Sequence, residues 1–174
     1  YYAKSLKDEF EKLGHTVVVK TFGIERRLPT GIRHIYYFVK TLPAYLRADH
    51  VLVFDTFSLG LPVALMRFFF RKGFTLRVGG DFLWEEYVER TQEKILLSHF
   101  YTEPRNFTLK EKCILWATRF VLRMATNVVF NTHFQKDIWV PAYRIATEKV
   151  SIIENRMEPA NEAFPASGKT FVYA

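Results

Sequence analysis

The chain has 174 residues, of which 49% are hydrophobic and 17% aromatic, so it can bury the core of one ordinary domain and is not intrinsically disordered. Twenty-five Lys and Arg oppose eighteen Asp and Glu, and the formal charge of +7 favours anionic partners: phosphates, lipid head groups or nucleic acid. The single cysteine, Cys113, excludes an intrachain disulfide and indicates a reducing compartment, where we expect it to be a small buried residue.

The N-terminal part predicts a helix, a turn and a strand. Its first apolar residues recur at helical spacing, at Ala3, Leu6, Phe10 and Leu13. Gly14 is placed to end this helix, and the β-branched run from Thr16 to Phe22 predicts a buried strand. After a loop, residues 32–47 form a basic and aromatic helix that Pro43 is expected to bend or divide.

The rest of the chain alternates strands with helices. Strands are predicted at 50–54, 74–78, 127–130 and 150–153, and helices at 61–72, 84–98, 109–124 and 132–140, the last closed by Pro141. Residues 51–70 have the length of a membrane span, but Asp55 and Arg67 would each cost about 3 kcal/mol near its centre, which favours a strand, a turn and a helix. The pattern predicts an α/β fold, a Rossmann-like parallel sheet with helices on both faces.

Five segments of the chain follow one another in an informative order. They are Leu6–Val19, Ala48–Pro62, Arg77–Glu85, Met124–Thr132 and Lys149–Pro165. The third reads Arg-Val-Gly-Gly-Asp-Phe-Leu-Trp-Glu and is similar to a Gly-Asp-x-x-Trp-Glu loop. Together they resemble the N-terminal domain of family 4 glycosyltransferases, retaining enzymes with the GT-B fold. The fifth segment departs from the family, because Arg156 stands where glycine is usual.

The resemblance implies a domain organisation and an activity. Residues 1–154 would form the acceptor-side domain without its first strand, 155–168 an interdomain linker, and 169–174 the start of a truncated donor-binding domain. The intact enzyme would transfer a sugar from a nucleotide-sugar donor to a glycan or lipid-linked acceptor with retention, without a metal or other cofactor. We expect residues 1–174 alone to be inactive, and the parent protein to be cytoplasmic or peripheral at the inner membrane face.

Asp81 is the predicted catalytic residue. It follows Gly79 and Gly80 at the carboxyl end of a strand, where parallel sheets bind ligands and where glycines allow close approach. Its carboxylate could orient or deprotonate an acceptor hydroxyl, or it could cap the following helix. The resemblance favours catalysis, since relatives carry His or Asp in this loop. On that interpretation, Asp81→Asn lowers kcat while the fold survives.

Other residues of the predicted acceptor and donor cleft also have structural alternatives. These residues are Asp55, Thr56, Trp84, Glu85, Asn131, Thr132 and Asn155. Asp55 with Thr56 fits a turn equally well, Glu85 fits a helix cap, and Trp84 fits core packing. Thr132 fits an N-cap, or a helix start that holds a phosphate through backbone N–H groups.

The basic aromatic helix presents Arg33, Lys40 and Arg47 as candidates to face a membrane. Such a helix can lie on an anionic bilayer, or its charges can simply face solvent. The alternative to a transferase is therefore a non-catalytic basic module that binds a membrane surface or nucleic acid. We expect no nucleic-acid partner, because no nucleic-acid motif is present and the basic residues are dispersed.

Overall fold

The computed structural model describes residues 2–21, 23 and 28–154. Its elements are α1 (Tyr2–Lys12), α2 (Thr30–Arg47), β1 (Leu52–Val53), α3 (Gly60–Phe70), β2 (Thr75–Val78), α4 (Phe82–Thr91), α5 (Leu97–Phe100), α6 (Leu109–Met124), β3 (Asn127–Phe130), α7 (His133–Tyr143) and β4 (Val150–Ile152). A short 3-10 turn, Thr147–Lys149, leads into β4. The predicted linker at 155–168 and the predicted domain start at 169–174 lie outside the described residues.

The four strands form one parallel sheet in the order β1-β2-β3-β4, so each strand pairs with its neighbour in sequence. The longest pairing joins β2 to β3, from Thr75 opposite Asn127 to Val78 opposite Phe130. Helices flank this sheet, which confirms the predicted Rossmann-like α/β class. Because all the strands are parallel, their carboxyl ends lie along one edge of the sheet, the carboxyl edge, and their amino ends along the opposite amino edge.

Two apolar clusters stabilise the domain. The main core joins the sheet to α3, α6 and α7 through fully buried side chains such as Met66, Leu76, Phe130 and Trp139. Burial of a large apolar side chain contributes about 1.5–3 kcal/mol, so this cluster fixes the sheet and its helices. A second group, the aromatic cluster, fills the space among α4, α5 and α6 and consists of Leu83, Tyr87, Phe100 and Ile114.

The first predicted strand is wrong over its described residues, 16–21. α1 ends as expected, with Gly14 in the left-handed conformation at φ 87°, but the chain then continues without β-pairing and leaves Val18 and Val19 exposed. Backbone carbonyls of this segment instead accept hydrogen bonds from α2, from Tyr37 Oη and Lys40 Nζ. β-Branched residues favour a strand only beside a partner strand, and none lies here among the described residues.

Neither proline ends or divides its helix. α2 runs without interruption through Pro43, and α7 continues past Pro141 to Tyr143. In α2, the buried side chains of Tyr37 and Tyr45 on either side of the proline hold the helix against the domain, and packing of this kind outweighs local propensity.

The expectation that Cys113 is buried on α6 is wrong. Cys113 is exposed, and the buried face carries Ile114, Val121 and Glu111 instead. Glu111 and Thr108 form a capping box at the start of the helix, and the Glu111 carboxylate also pairs with Arg90 Nε at 2.8 Å. The buried apolar residues Ile114, Ala117, Val121 and Leu122 also recur at helical spacing, so α6 buries the apolar stripe next to Cys113.

Residues 51–70 form a strand, a turn and a helix, as expected. The helix predicted at 84–98 is two helices, α4 and α5, because α4 ends at Gln92, which adopts a left-handed conformation with φ 59°. None of the helices in the described part of the chain is long and apolar enough to cross a bilayer.

Candidate functional site at the carboxyl edge

Polar side chains from three successive loops meet at the carboxyl edge. Asp55 follows β1, Asp81 follows β2, and Asn131 follows β3. Because these three strands are adjacent and in parallel register, the loops lie side by side. The sheet therefore brings together the predicted residues that follow its first three strands.

Asp81 is buried, with 3% of its surface exposed, and three donors surround its carboxylate. Oδ1 accepts the backbone N–H of Trp84 at 3.0 Å, which is the N-cap of α4. Oδ2 accepts Tyr101 Oη at 2.7 Å and Trp139 Nε1 at 2.9 Å. The capping alternative is confirmed. The catalytic role stays a prediction, and the carboxylate is covered by other protein groups.

A chain of hydrogen bonds leads outward from this carboxylate. Tyr101 has one hydroxyl proton and donates it to Asp81, so the 2.7 Å contact with Tyr143 requires the Tyr143 hydroxyl to donate to Tyr101. Burial raises the pKa of Asp81, although its hydrogen bonds oppose the rise. Burial and then the charge of Asp81 raise the pKa of Tyr101 and of Tyr143, so both phenols stay protonated.

Glu85 is the exposed carboxylate of this edge. It lies in the first turn of α4, and its Oε1 is 3.0 Å from the position that a Cβ on Gly80 would occupy. Partial burial raises its pKa, the charges of Asp81 and Asp55 add to the rise, and a hydrogen bond from the Asp81 backbone opposes it. An accessible carboxylate with a raised pKa has the properties that general acid–base chemistry needs.

Asp55 closes the turn after β1. Its Oδ1 accepts the backbone N–H groups of Phe57 at 2.5 Å and Ser58 at 2.8 Å, so the turn alternative is confirmed. Phe57 stacks on Phe82 at 5.5 Å, which joins this turn to the start of α4. Thr56, beside Asp55, is buried rather than open to a ligand.

Two further structural alternatives are confirmed. Trp84 packs against the aromatic cluster and donates its Nε1 to Ile95 O at 2.9 Å. Thr132 caps α7 by accepting the backbone N–H of Gln135 at 3.2 Å. Asn131 keeps a buried Oδ1 without a hydrogen-bond partner in the structure, so this amide oxygen has an unused acceptor at the edge.

The membrane-facing candidates lie away from this edge, whereas the two glycines belong to it. Arg33, Lys40 and Arg47 are on α2, and Gly79 and Gly80 are exposed at the end of β2. Nothing lies within 4 Å of a Cβ added to Gly79, so only Gly80 has a close neighbour that restricts it. Asn155 lies outside the described residues.

The sequence interpretation missed Tyr101, Trp139 and Tyr143, which surround Asp81. They lie on α7 and just after α5, far from Asp81 in the sequence, and no spacing rule links them to it. The only signal is indirect: tyrosine and tryptophan usually bind a polar partner when they are buried.

The carboxyl edge thus provides one exposed carboxylate, a glycine beside it, an unused amide oxygen and the start of α7. In the described part of the chain, no three His, Cys, Asp or Glu side chains are grouped to hold a metal ion. No protein-family model matches the chain, and no curated protein is significantly similar to it. The likeness to family 4 glycosyltransferases therefore rests on the five sequence segments.

Proposed function

We propose that this domain forms the acceptor-side wall of a retaining glycosyltransferase that uses a nucleotide-sugar donor. The observation that carries the proposal is Glu85, an exposed carboxylate of raised pKa beside Gly80 at the carboxyl edge of a parallel sheet. Ligands of open parallel α/β sheets bind outside this edge. The order of the five segments supports the same assignment.

In the proposed reaction, the acceptor hydroxyl oxygen forms a bond to the anomeric carbon of the donor sugar. The bond from that carbon to the donor phosphate breaks, and the nucleotide leaves with the bonding electrons. Glu85 orients the acceptor hydroxyl and stabilises its developing positive charge, while the proton leaves with the departing phosphate. Positioning and electrostatic stabilisation of this kind supply most of the rate.

Asp81 acts here as a positioning residue. It caps α4 through Trp84 and so fixes the helix turn that carries Glu85. The start of α7 at the same edge presents backbone N–H groups that suit a phosphate, and we propose that the donor diphosphate passes near it. A second domain, as in the family that the chain resembles, would bind the nucleotide.

The test is a transferase assay on the full-length protein that carries this domain, with UDP-, GDP- and ADP-sugars and a panel of glycan and lipid-linked acceptors. We expect Glu85→Gln to lower kcat by about 10²- to 10³-fold, because the neutral amide cannot stabilise the developing charge. The matched control is Glu89→Gln, one turn along α4, where the side chain is exposed and kcat should not change.

Three outcomes would contradict the proposal. Absence of turnover with every donor would remove the transferase assignment. Equal kcat values for Glu85→Gln and Glu89→Gln would remove Glu85 from the reaction. Turnover by residues 1–174 alone would contradict a donor site in a second domain.

A further inference from the structure

Two helices expose apolar side chains on a part of the molecule that the proposed reaction does not use. The inward face of α2 packs Tyr37, Thr41 and Tyr45 against the domain. Its outward face is also apolar and carries the exposed residues Ile32, Ile35, Tyr36, Val39 and Leu46. A surface helix normally has a polar outward face, so the outer face of α2 requires an explanation.

The end of α3 exposes three consecutive phenylalanines. Phe68 is 62% exposed, Phe69 66% and Phe70 45%. Arg71 follows in a left-handed conformation with φ 57°, which ends the helix at this point. Consecutive aromatic side chains have a less favourable free energy when they are exposed to water than when they are buried. Contiguous patches of this kind mark interaction sites on soluble proteins.

Hydrogen bonds of Lys72 connect the C-terminal ends of α2 and α3. Its Nζ donates to Leu46 O at 2.8 Å and to Tyr45 O at 3.2 Å, the last carbonyls of α2. Tyr45 Oη donates in return to Lys72 O. The ends of α2 and α3 are therefore held side by side at the amino edge of the sheet, opposite the candidate site. We call the exposed faces of α2 and this α3 end the basic aromatic surface.

The charges on this surface have one sign. Neither α2 nor the segment 60–72 contains an acidic residue. The same two segments carry six basic residues, of which Lys40, Arg47 and Arg71 are exposed and Arg33, Arg67 and Lys72 are half-buried. By contrast, acidic residues dominate α4, with Glu85, Glu86 and Glu89 against Arg90.

We propose that the basic aromatic surface docks the protein on an anionic lipid bilayer. Exposed phenylalanines gain free energy when they enter the boundary between head groups and acyl chains, and the surrounding Lys and Arg are attracted to acidic head groups. An apolar protein partner would not require the uniform positive charge, and a nucleic acid would not require three exposed phenylalanines. The proposal is independent of the transferase activity.

The test is co-sedimentation of the chain with vesicles of phosphatidylcholine alone and of phosphatidylcholine mixed with phosphatidylglycerol. We expect binding only to the anionic vesicles, with a decrease as salt screens the charges. Combined Phe68→Ala, Phe69→Ala and Phe70→Ala should weaken the partition coefficient by about tenfold or more. Arg47→Gln with Arg71→Gln should weaken it by about fivefold for each charge removed.

Two controls match these variants. Phe134→Ala removes an aromatic side chain that is equally exposed but lies at the start of α7, at the carboxyl edge. Lys94→Gln removes an exposed charge outside the surface. Both should bind as the unmodified chain does. Circular dichroism of every variant checks that the fold is retained.

A second measurement reports insertion directly. Cys113 is the only cysteine, so Phe69→Cys combined with Cys113→Ser offers one site for an environment-sensitive dye, whose emission should shift to the blue on anionic vesicles. Equal binding to neutral and anionic vesicles, indifference to the three phenylalanines, or an unshifted dye would overturn the proposal. Binding to duplex DNA without vesicle binding, or concentration-dependent dimerisation that buries residue 69, would overturn it in favour of another partner.

Discussion

At the scale of single residues, the surroundings of Asp81 change what a substitution there reports. Three donors converge on the carboxylate: the Trp84 backbone N–H, the Tyr101 hydroxyl and the Trp139 indole. An asparagine offers only one oxygen, and its amide nitrogen faces at least one donor. Asp81→Asn therefore changes hydrogen bonding and charge together. Glu85→Gln is the substitution that tests a role in the reaction without disturbing a buried hydrogen-bond network.

We expect Asp81→Asn to lower the free energy of unfolding by about 1–3 kcal/mol, because a buried donor loses its acceptor. Urea denaturation of the chain measures this. The matched control is Asp55→Asn, since a single Asp55 oxygen accepts both turn N–H groups and an amide oxygen can do the same, so its effect should stay below about 0.5 kcal/mol. In a Trp139→Phe variant, Asp81→Asn should lower the free energy of unfolding by less, because the indole donor is already absent. Strict additivity of the two substitutions would contradict a hydrogen bond between Trp139 and Asp81.

At the scale of elements, two helix glycines have opposite surroundings. A Cβ on Gly31, near the start of α2, has nothing within 4 Å. A Cβ on Gly60, at the start of α3, would lie 2.5 Å from the backbone oxygen of Asp55 and 3.0 Å from Val121 Cγ1. Gly60 therefore allows α3 to begin directly against the loop of the candidate site.

We expect Gly31→Ala to stabilise the chain by about 0.5–1 kcal/mol, because alanine loses less backbone entropy in a helix. Gly60→Ala should instead destabilise it by about 1–3 kcal/mol, because the backbone of residue 55 must move. Thermal unfolding of both variants decides the matter. A Gly60→Ala variant as stable as Gly31→Ala would mean that the start of α3 is looser than the structure indicates.

The sequence predicted the positions of most helices and strands, but it did not predict which residues pair or are buried in every case. β2, β3, β4, α3 and α7 lie within a few residues of their predicted positions because short apolar strands alternate with longer helical patterns along this part of the chain. Residues 16–21 show the opposite case, since β-branched residues specify a strand only when another strand lies beside them. Cys113 was misplaced because α6 has two neighbouring stripes at helical spacing, and the one with Ile114, Val121 and Leu122 is the buried one.

The same limit applies to the candidate site. Strand ends and glycines placed Asp55, Asp81 and Asn131 at one edge, because parallel topology alone decides that. Which carboxylate is buried depends on Tyr101 and Trp139, which the chain brings from distant helices. Sequence spacing carries no information about such contacts, so the burial of Asp81 and the exposure of Glu85 became visible only in the structure.

At the scale of the whole molecule, three carboxylates with shifted pKa values give the free energy of unfolding two opposite pH dependences. Burial raises the pKa of Asp81 and of Glu85, so the folded state takes up protons first and gains stability as pH falls towards their unfolded values. Burial also acts to raise the pKa of Glu111, but hydrogen bonds from Arg90 and Thr108 outweigh it and leave that pKa lowered. The stability from Glu111 is therefore present above its unfolded pKa, about 4.3, and is lost as pH falls through the folded value.

We expect the free energy of unfolding to rise as pH falls from neutral to the mildly acidic range and to decrease below about pH 4. A series of urea titrations across this range measures it. Glu111→Gln should flatten the acidic decrease, and Asp81→Asn should flatten the rise above it. A stability that falls steadily from neutral pH in the unmodified chain would contradict the raised pKa values.

Asp81 also adds a direct link between two clusters that α6 already connects, since Ile114 of α6 lies in the aromatic cluster and Val121 in the main core. Its Oδ2 binds Tyr101, which packs against the aromatic cluster, and Trp139, which belongs to the main core. Through these two hydrogen bonds, one buried oxygen links the α4 and α5 region to the helix that packs on the sheet. We expect this link to strengthen the coupling between the two clusters, so that they unfold together.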